Sequence, residues 1–318
     1  MLTKSNISLK SYHTFGIEAS AKTLIEYDSV EELRQILLAH QGEPILHIGQ
    51  GSNLLFTRDY EGLILHSRMA RARFLDDELV EAQNGLRLDD LIAQLCDMGY
   101  SGMEKLSAIP GEVGASAVQN VGAYGVEAKD VIERVYALEV ATGNERMFTN
   151  AECCFAYRDS IFKHELKGLY IITSVVYRVY RGAAQATRQE IIATRQQKLP
   201  TVGEVGSAGS FFMNPFVSEE QFQHLIALYP TMPSYPTPST AHRPSSILYK
   251  IPAAWLIEQC GWKGKRLGGA QVWHKQPLVL VNAEGEATAQ DIMTLAEQIV
   301  ASVQERFGIT LHPEVNYI

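Results

Sequence analysis

Hydrophobic and polar positions alternate with two different periods along the chain, and the change of period marks its elements. Ser29-Val30-Glu31-Glu32 reads as a capping box, and behind it Leu33, Ile36 and Leu37 share one helical face that stops near Gly42. After Pro44 the short apolar run Ile45-Leu46-His47-Ile48 predicts a buried strand. Further strand-like runs occupy 62–65 and 79–82, and a helix spans about 89–98 before Gly99. Two longer strands, 131–140 and 169–179, flank the turn at 141–144 and an irregular stretch around Tyr157.

From Tyr180 onward the pattern changes. Thr187-Arg188-Gln189-Glu190 and Ser218-Glu219-Glu220-Gln221 each open a helix, with the glycine-rich stretch 203–209 between them. Residues 230–244 hold five of the twelve prolines, Pro230, Pro233, Pro236, Pro238 and Pro244, and predict an extended connector. A last helix from near Thr288 carries the stripe Ile292, Leu295, Ile299, Val303 and Phe307 and closes at Gly308. Strands come in clusters with interspersed helices and without a regular βαβ beat, which predicts an α+β fold. The break falls near residue 182, giving domains 1–181 and 182–318. The 318-residue length suits this pair, since domains run to about 150 residues.

Charge and cysteine usage narrow the class. Twenty-eight basic residues against thirty-six acidic ones leave a net charge of −8, which disfavours nucleic acid as a partner. No run is long and apolar enough for a secretory leader or a membrane span. Cys96, Cys153, Cys154 and Cys260 form no CxxC pair and read as small buried hydrophobes of a reducing compartment, the cytoplasm. Nine scattered histidines without an HxxxH pair predict no metal site.

Five segments have chemical potential. Gly49-Gln50-Gly51-Ser52-Asn53 directly follows a predicted strand, so its backbone N–H groups and the Ser52 and Asn53 side chains suit a diphosphate, although a plain turn has the same composition. Residues 108–125 contain four glycines, four alanines and one charge, which lets backbone approach a flat ligand or another chain segment closely. Tyr157-Arg158-Asp159-Ser160 presents a guanidinium that can clamp a carboxylate. In Gly209-Ser210-Phe211-Phe212-Met213-Asn214-Pro215 the Ser210 hydroxyl has no neighbouring base in sequence, so it reads as a proton donor or as a turn serine. The fifth, Pro313-Glu314-Val315, sets a carboxylate among apolar residues near the chain end, where surface charge is the ordinary reading.

These segments occur in order with His13-Thr14-Phe15-Gly16, Ile109-Pro110-Gly111, Gln119-Asn120-Val121-Gly122-Ala123-Tyr124-Gly125, Lys198-Leu199-Pro200 and Ala253-Ala254-Trp255-Leu256-Ile257. Over nearly its whole length the chain resembles the UDP-N-acetylenolpyruvoylglucosamine reductase family of flavoenzymes. The resemblance implies a two-lobed FAD-binding domain of the PCMH/VAO-like kind, followed by an α/β substrate-binding domain. It implies that NADPH reduces bound FAD, that hydride then passes to C3 of an enolpyruvyl UDP-sugar, and that Ser210 protonates C2. Arg158 and Glu314 would polarise the substrate carboxylate. Gly49, Gln50, Gly51, Ser52 and Asn53 would hold the FAD diphosphate, and Ile109, Gly111, Ala115, Val121 and Gly122 would line its ring and ribose. Tyr124, Lys198, Asn214 and Gln276 would bind the UDP-sugar, and a monomer is expected. The segment 180–198 lacks the Tyr-Gly insert of related chains, and Tyr235 or Tyr249 is the expected substitute over the substrate diphosphate. The rivals are an oxidase of the same fold and a non-catalytic flavin or UDP-sugar binder; the Ser210 and Glu314 motifs argue against both.

Overall fold

The computed structural model describes residues 1–182, 184, 186–201, 203–237 and 248–318. Pro238 and Pro244 of the proline-rich connector lie outside the described residues. The chain divides into two compact units. The first holds Met1–Tyr12, Ala19–Ser52 and Arg58–Gln197, and the second holds His13–Glu18, Asn53–Thr57 and Lys198–Ile318. The chain therefore passes between units five times, and the last passage falls after Gln197, not near residue 182. The helix Arg188–Gln196 stays with the first unit, where Arg188 bonds Asp89 at 2.7 Å.

Two sheets build the first unit. In one, the order is Leu2–Ser8, Ser20–Tyr27, Tyr60–Ser67, Ile45–Ile48, with an antiparallel first pair and parallel pairs after it. The helix Val30–Ala39 starts where Ser29 accepts from Glu32 N–H, and it buries Leu33, Ile36 and Leu37 against Ile25, Leu63 and Leu65. The other sheet is antiparallel throughout, in the order Glu145–Thr149, Ile132–Glu139, Tyr170–Arg178, Leu79–Gln83, Ala72–Phe74. Its central strand Tyr170–Arg178 is buried on both faces: Ile171 joins the core under Val30–Ala39, while Ile172, Val175 and Tyr177 pack with the helix Leu88–Asp97. That two-sided burial explains why the strand reads as a continuous apolar run without alternation.

Asn84 links the strands polar-to-polar inside this core. Its amide donates to Tyr27 Oη at 2.9 Å and to the Ile172 carbonyl at 2.7 Å, and its oxygen accepts from Ser67 Oγ at 2.7 Å. Alanine there would strand three buried polar groups, so Asn84→Ala is expected to lower unfolding stability by about 3 kcal/mol, read as a drop in the urea midpoint.

The second unit has an antiparallel sheet, Gly206–Ser210, Val279–Asn282, Ala270–Val272, Arg266–Leu267, and a three-stranded one, Phe216–Ser218, Leu248–Lys250, Tyr235–Thr237. The short strand Asn316–Tyr317 runs parallel to Leu54–Leu55. The helix Ala289–Phe307 opens with a Thr288/Asp291 capping box, buries Ile292, Leu295, Ile299, Val303 and Phe307, and ends at Gly308 with φ +65°. Phe15, Ile17 and Leu55 lie in the same core, so this unit borrows sequence-distant residues for its interior.

Two expectations change. Of the four cysteines read as buried, only Cys153 is fully so: Cys96 and Cys260 are partly buried, and Cys154, which ends the short turn Ala151–Cys153 in the left-handed conformation at φ 48°, is exposed. Ser210 closes the strand Gly206–Ser210 and is not a turn residue. Among the described residues no helix is long and apolar enough to cross a membrane, and no group of three or more His, Cys, Asp or Glu side chains could hold a metal ion.

Candidate functional site

In the first unit the strand Ile45–Ile48 delivers the chain into the loop Gly49–Ser52. Gly51 is buried at φ +61°, a conformation that disfavours any residue with a Cβ. Gln50 Oε1 accepts from Gly111 N–H at 2.8 Å, and Ser52 Oγ donates to the Pro110 carbonyl at 3.0 Å. Gly111 sits at φ +132°, and a Cβ on it would lie 3.3 Å from Ser52 Oγ. The two segments picked out separately in sequence are thus stitched together by side chains. The Ser52 hydroxyl, read in sequence as a side-chain donor to a diphosphate, is engaged in that stitch in this structure. Asn53 differs as well: it belongs to the second unit, where its amide donates to the Glu314 carbonyl at 3.1 Å. What the loop keeps is backbone. Among the described residues no group accepts from the N–H of Gln50, Gly51 or Ser52. A buried glycine whose N–H lacks a partner fits an anionic group such as a diphosphate.

Past Gly111 the glycine-and-alanine run becomes the helix Val113–Gln119, an element its composition had hidden. Six of its residues are buried or partly buried, and Ala115 is the one that is exposed. Ile109 and Val121 are partly buried against the core of this unit. Asn120, left-handed at φ 45° and fully buried, ends the helix by bonding Glu127, the Ala156 carbonyl and Lys129 N–H. A two-residue hairpin then joins Gly122–Ala123 to Val126–Glu127 through Tyr124 at φ 51° and Gly125 at φ 80°. Positive φ at both central residues is the signature of a type I′ turn, and it puts the exposed Tyr124 at the tip.

Arg158 is anchored beside that hairpin. Its Nη2 donates to the Gly122 carbonyl at 2.8 Å, and its guanidinium carbon lies 5.5 Å from the Tyr157 ring centroid. Lys163 donates to the Arg158 carbonyl at 2.8 Å, holding a backbone that sits at φ 56°. Arg195, on the last turn of Arg188–Gln196, was missed in sequence. Burial lowers its pKa first of all, while a hydrogen bond to Tyr124 and the charge of Asp89 work against this and Arg158 adds repulsion. Two guanidiniums and a phenol therefore share one neighbourhood, a setting for an anion. The signal that could have found Arg195 is its place one helical turn after the buried Ile191, on the same inward face of the helix.

In the second unit Ser210 and Glu314 come from adjacent backbone. Ser210 pairs with Val279, Phe211 N–H donates to the Leu278 carbonyl at 2.8 Å, and Glu314 N–H donates to the Phe211 carbonyl at 2.8 Å. Phe212 bridges Pro313, and Met213 N–H donates to the His312 carbonyl at 2.9 Å. Phe211 and Phe212 are fully buried, so the serine is fixed at the rim of a dry core. Asn214 Oδ1 accepts from Ala253 N–H at 2.9 Å and so tethers the start of the helix Ala253–Gln259. Gln276 holds the turn into Val279 through its carbonyl at 3.0 Å, and Lys198 is exposed. Of the two tyrosines considered for the substrate diphosphate, Tyr249 stacks on Phe222 at 3.9 Å between centroids, and Tyr235 is exposed on the adjoining strand.

The profile of the FAD binding domain matches residues 21–149, and that of the UDP-N-acetylenolpyruvoylglucosamine reductase C-terminal domain matches residues 200–318. The UDP-N-acetylenolpyruvoylglucosamine reductase of Bacteroides fragilis is 46% identical, with 98% of each chain covered. That of Flavobacterium johnsoniae is 40% identical over all of both chains. The crystal structure of UDP-N-acetylenolpyruvylglucosamine reductase from Thermus caldophilus shares the fold, with a TM-score of 0.72 at 24% identity over 99% of both chains. Full-length identity at this level, with both domain profiles in order, means that the chain belongs to the UDP-N-acetylenolpyruvoylglucosamine reductase family.

Proposed function

We propose that the protein reduces UDP-N-acetylenolpyruvoylglucosamine to UDP-N-acetylmuramate with NADPH, a step in making peptidoglycan precursors. The observation that carries this reading is the pairing of Glu314 N–H with the Phe211 carbonyl, which seats a carboxylate next to the segment bearing Ser210. Family membership supports it.

Bound FAD supplies the relay of hydride between NADPH and C3 of the enolpyruvyl double bond. The backbone of Gly49, Gln50, Gly51 and Ser52 would hold its diphosphate, with Asn53 following, and Ile109, Gly111, Ala115, Val121 and Gly122 would flank ring and ribose. Addition at C3 builds negative charge on C2 and the attached carboxylate. Arg158 carries the guanidinium that stabilises such charge, and its hydrogen bond to Gly122 fixes the fork before charge develops. Ser210 then gives its hydroxyl proton to C2. A serine is a weak acid, so the carboxylate of Glu314, seated beside the same backbone, supplies the field that orients and assists that transfer. Tyr124, Lys198, Asn214 and Gln276 bind the UDP-sugar, and Arg195 joins them as a further guanidinium for its phosphates.

Anaerobic reduction by NADPH followed by addition of the enolpyruvyl sugar tests this. The flavin spectrum is expected to bleach and then return as UDP-N-acetylmuramate forms. Flavin that bleaches but ignores the sugar would sink the substrate, and protein that cannot be loaded with FAD would sink the whole reading.

A further inference from the structure

Behind the Gly49–Ser52 loop lies a row of charged groups that the proposed chemistry does not use. Glu112 follows Gly111 directly and is only 5% exposed. One of its carboxylate oxygens lies 3.2 Å from His66 Nε2. The other faces Gly49 so closely that a Cβ there would lie 2.9 Å from it. On the far side of the ring, His66 Nδ1 is 3.6 Å from Glu26, which Lys4 holds at 3.0 Å. Lys4 also donates to Tyr12 Oη at 2.6 Å, and the Tyr12 ring meets His66 edge-on. His47, from the strand leading into the loop, is held at a pKa of about 3, first by burial and then by the charge of His66, and its ring bonds the buried Tyr27 hydroxyl at 2.9 Å. Arg87 bridges Glu112 through backbone while its guanidinium lies 3.8 Å from Asp90.

The charges can be counted. Lys4 cancels Glu26, and His47 is neutral. What remains is Glu112 with His66. With one proton between them the row is neutral, and without it a negative charge sits against the back of Gly49. At the front of that loop the proposed function places two phosphates, and a half-dry carboxylate behind them is repulsive.

We infer that Glu112 and His66 are a positioning pair for the cofactor diphosphate: His66 keeps the proton that cancels the Glu112 charge, and losing that proton weakens FAD binding. This rests on the FAD placement proposed above. Burial by itself lowers the His66 pKa, but the bond and charge of Glu112, joined by Glu26, outweigh it and raise it overall. Burial raises the pKa of Glu112, and His66 only partly reverses this. Two phosphates beside the pair favour its protonated form and raise its pKa further on binding. A group whose pKa is higher with ligand than without contributes affinity that is complete below the ligand-free pKa and lost as pH rises through the ligand-bound one. FAD affinity is therefore strongest on the acid side of neutrality and falls on the alkaline side.

Flavin fluorescence recovered on serial dilution of the holoprotein gives Kd at each pH. Between about pH 6 and about pH 9 the wild-type Kd is expected to rise about tenfold, the size of one unit of pKa difference. Glu112→Gln should flatten the profile and keep tight binding at the alkaline end, and His66→Gln should bind weakly already at the acid end. Urea midpoints of the same samples separate lost affinity from lost fold; should Glu112→Gln fail to fold, the His66→Gln profile decides alone. A wild-type Kd that is constant with pH, or variant profiles parallel to it, overturns the pair's role. Gly51→Val acts on the earlier reading. If it binds FAD as tightly as wild type, the diphosphate does not lie on this loop, and both the placement and this inference fall, whereas weak binding by Gly51→Val beside a pH-independent Kd overturns the pair alone.

Discussion

Ser210→Ala is expected to lower kcat for the enolpyruvyl sugar by about 10³-fold while NADPH still bleaches the flavin at its normal rate. The substitution removes a single oxygen. The strand keeps its shape, because Ser210 pairs with Val279 through backbone and Phe211 and Phe212 stay buried beside it. The loss should therefore fall on the second half-reaction, with KM for the sugar nearly unchanged, since a proton needed only in the transition state contributes little to ground-state binding. Stopped-flow reoxidation of the reduced flavin by the sugar measures it. Reoxidation at the wild-type rate in Ser210→Ala would show that another group, or water, protonates C2.

A second large effect is expected from Arg158→Lys, a fall in kcat of about 10²-fold. The guanidinium is planar, and one arm is already committed to the Gly122 carbonyl at 2.8 Å, so its direction is set before substrate arrives. An ammonium keeps the charge but cannot serve the Gly122 carbonyl and a carboxylate in one fixed plane. The urea midpoint should fall by no more than the loss of the one Gly122 hydrogen bond implies, about 1 kcal/mol. Steady-state rates near wild type in Arg158→Lys would reduce Arg158 to a point charge.

Much of this was legible in the amino-acid sequence, for reasons that differ by residue. Ser29, Thr187 and Ser218 announced their helices because capping is a local exchange of hydrogen bonds. The stripe of Ala289–Phe307 was readable because one buried face imposes one period. The helix Val113–Gln119 was not, since a run of Gly, Ala and Ser carries no amphipathic contrast and is made helical by burial against its neighbours. The strands Leu2–Ser8 and Ser20–Tyr27 also escaped notice, their sequences being polar and mixed, and pairing settles them. In the site, Gly49–Asn53 reads in sequence as one segment, but Asn53 belongs to the second unit, and the hydrogen bonds of Ser52 and Asn53 depend on partners 58 and 261 residues away. The cluster of His66, Glu26 and Glu112 was invisible for the same reason: its members come from two strands and the start of the helix Val113–Gln119, and no spacing relates them.

The five passages of the chain between units bear on how the protein can come to be folded. Asn53–Thr57 leaves the ribosome well before the strand Asn316–Tyr317 that pairs with it, and Thr57 N–H waits for the Ile318 carbonyl, 261 residues later. His13–Glu18 likewise shares a core with Leu55 and otherwise with residues after 198. Such long sequence separation makes loop closure costly and folding slow. During synthesis the first unit can build its sheets while these two short segments hang unsatisfied, so removing even the last few residues should leave a nascent chain unable to complete the second unit.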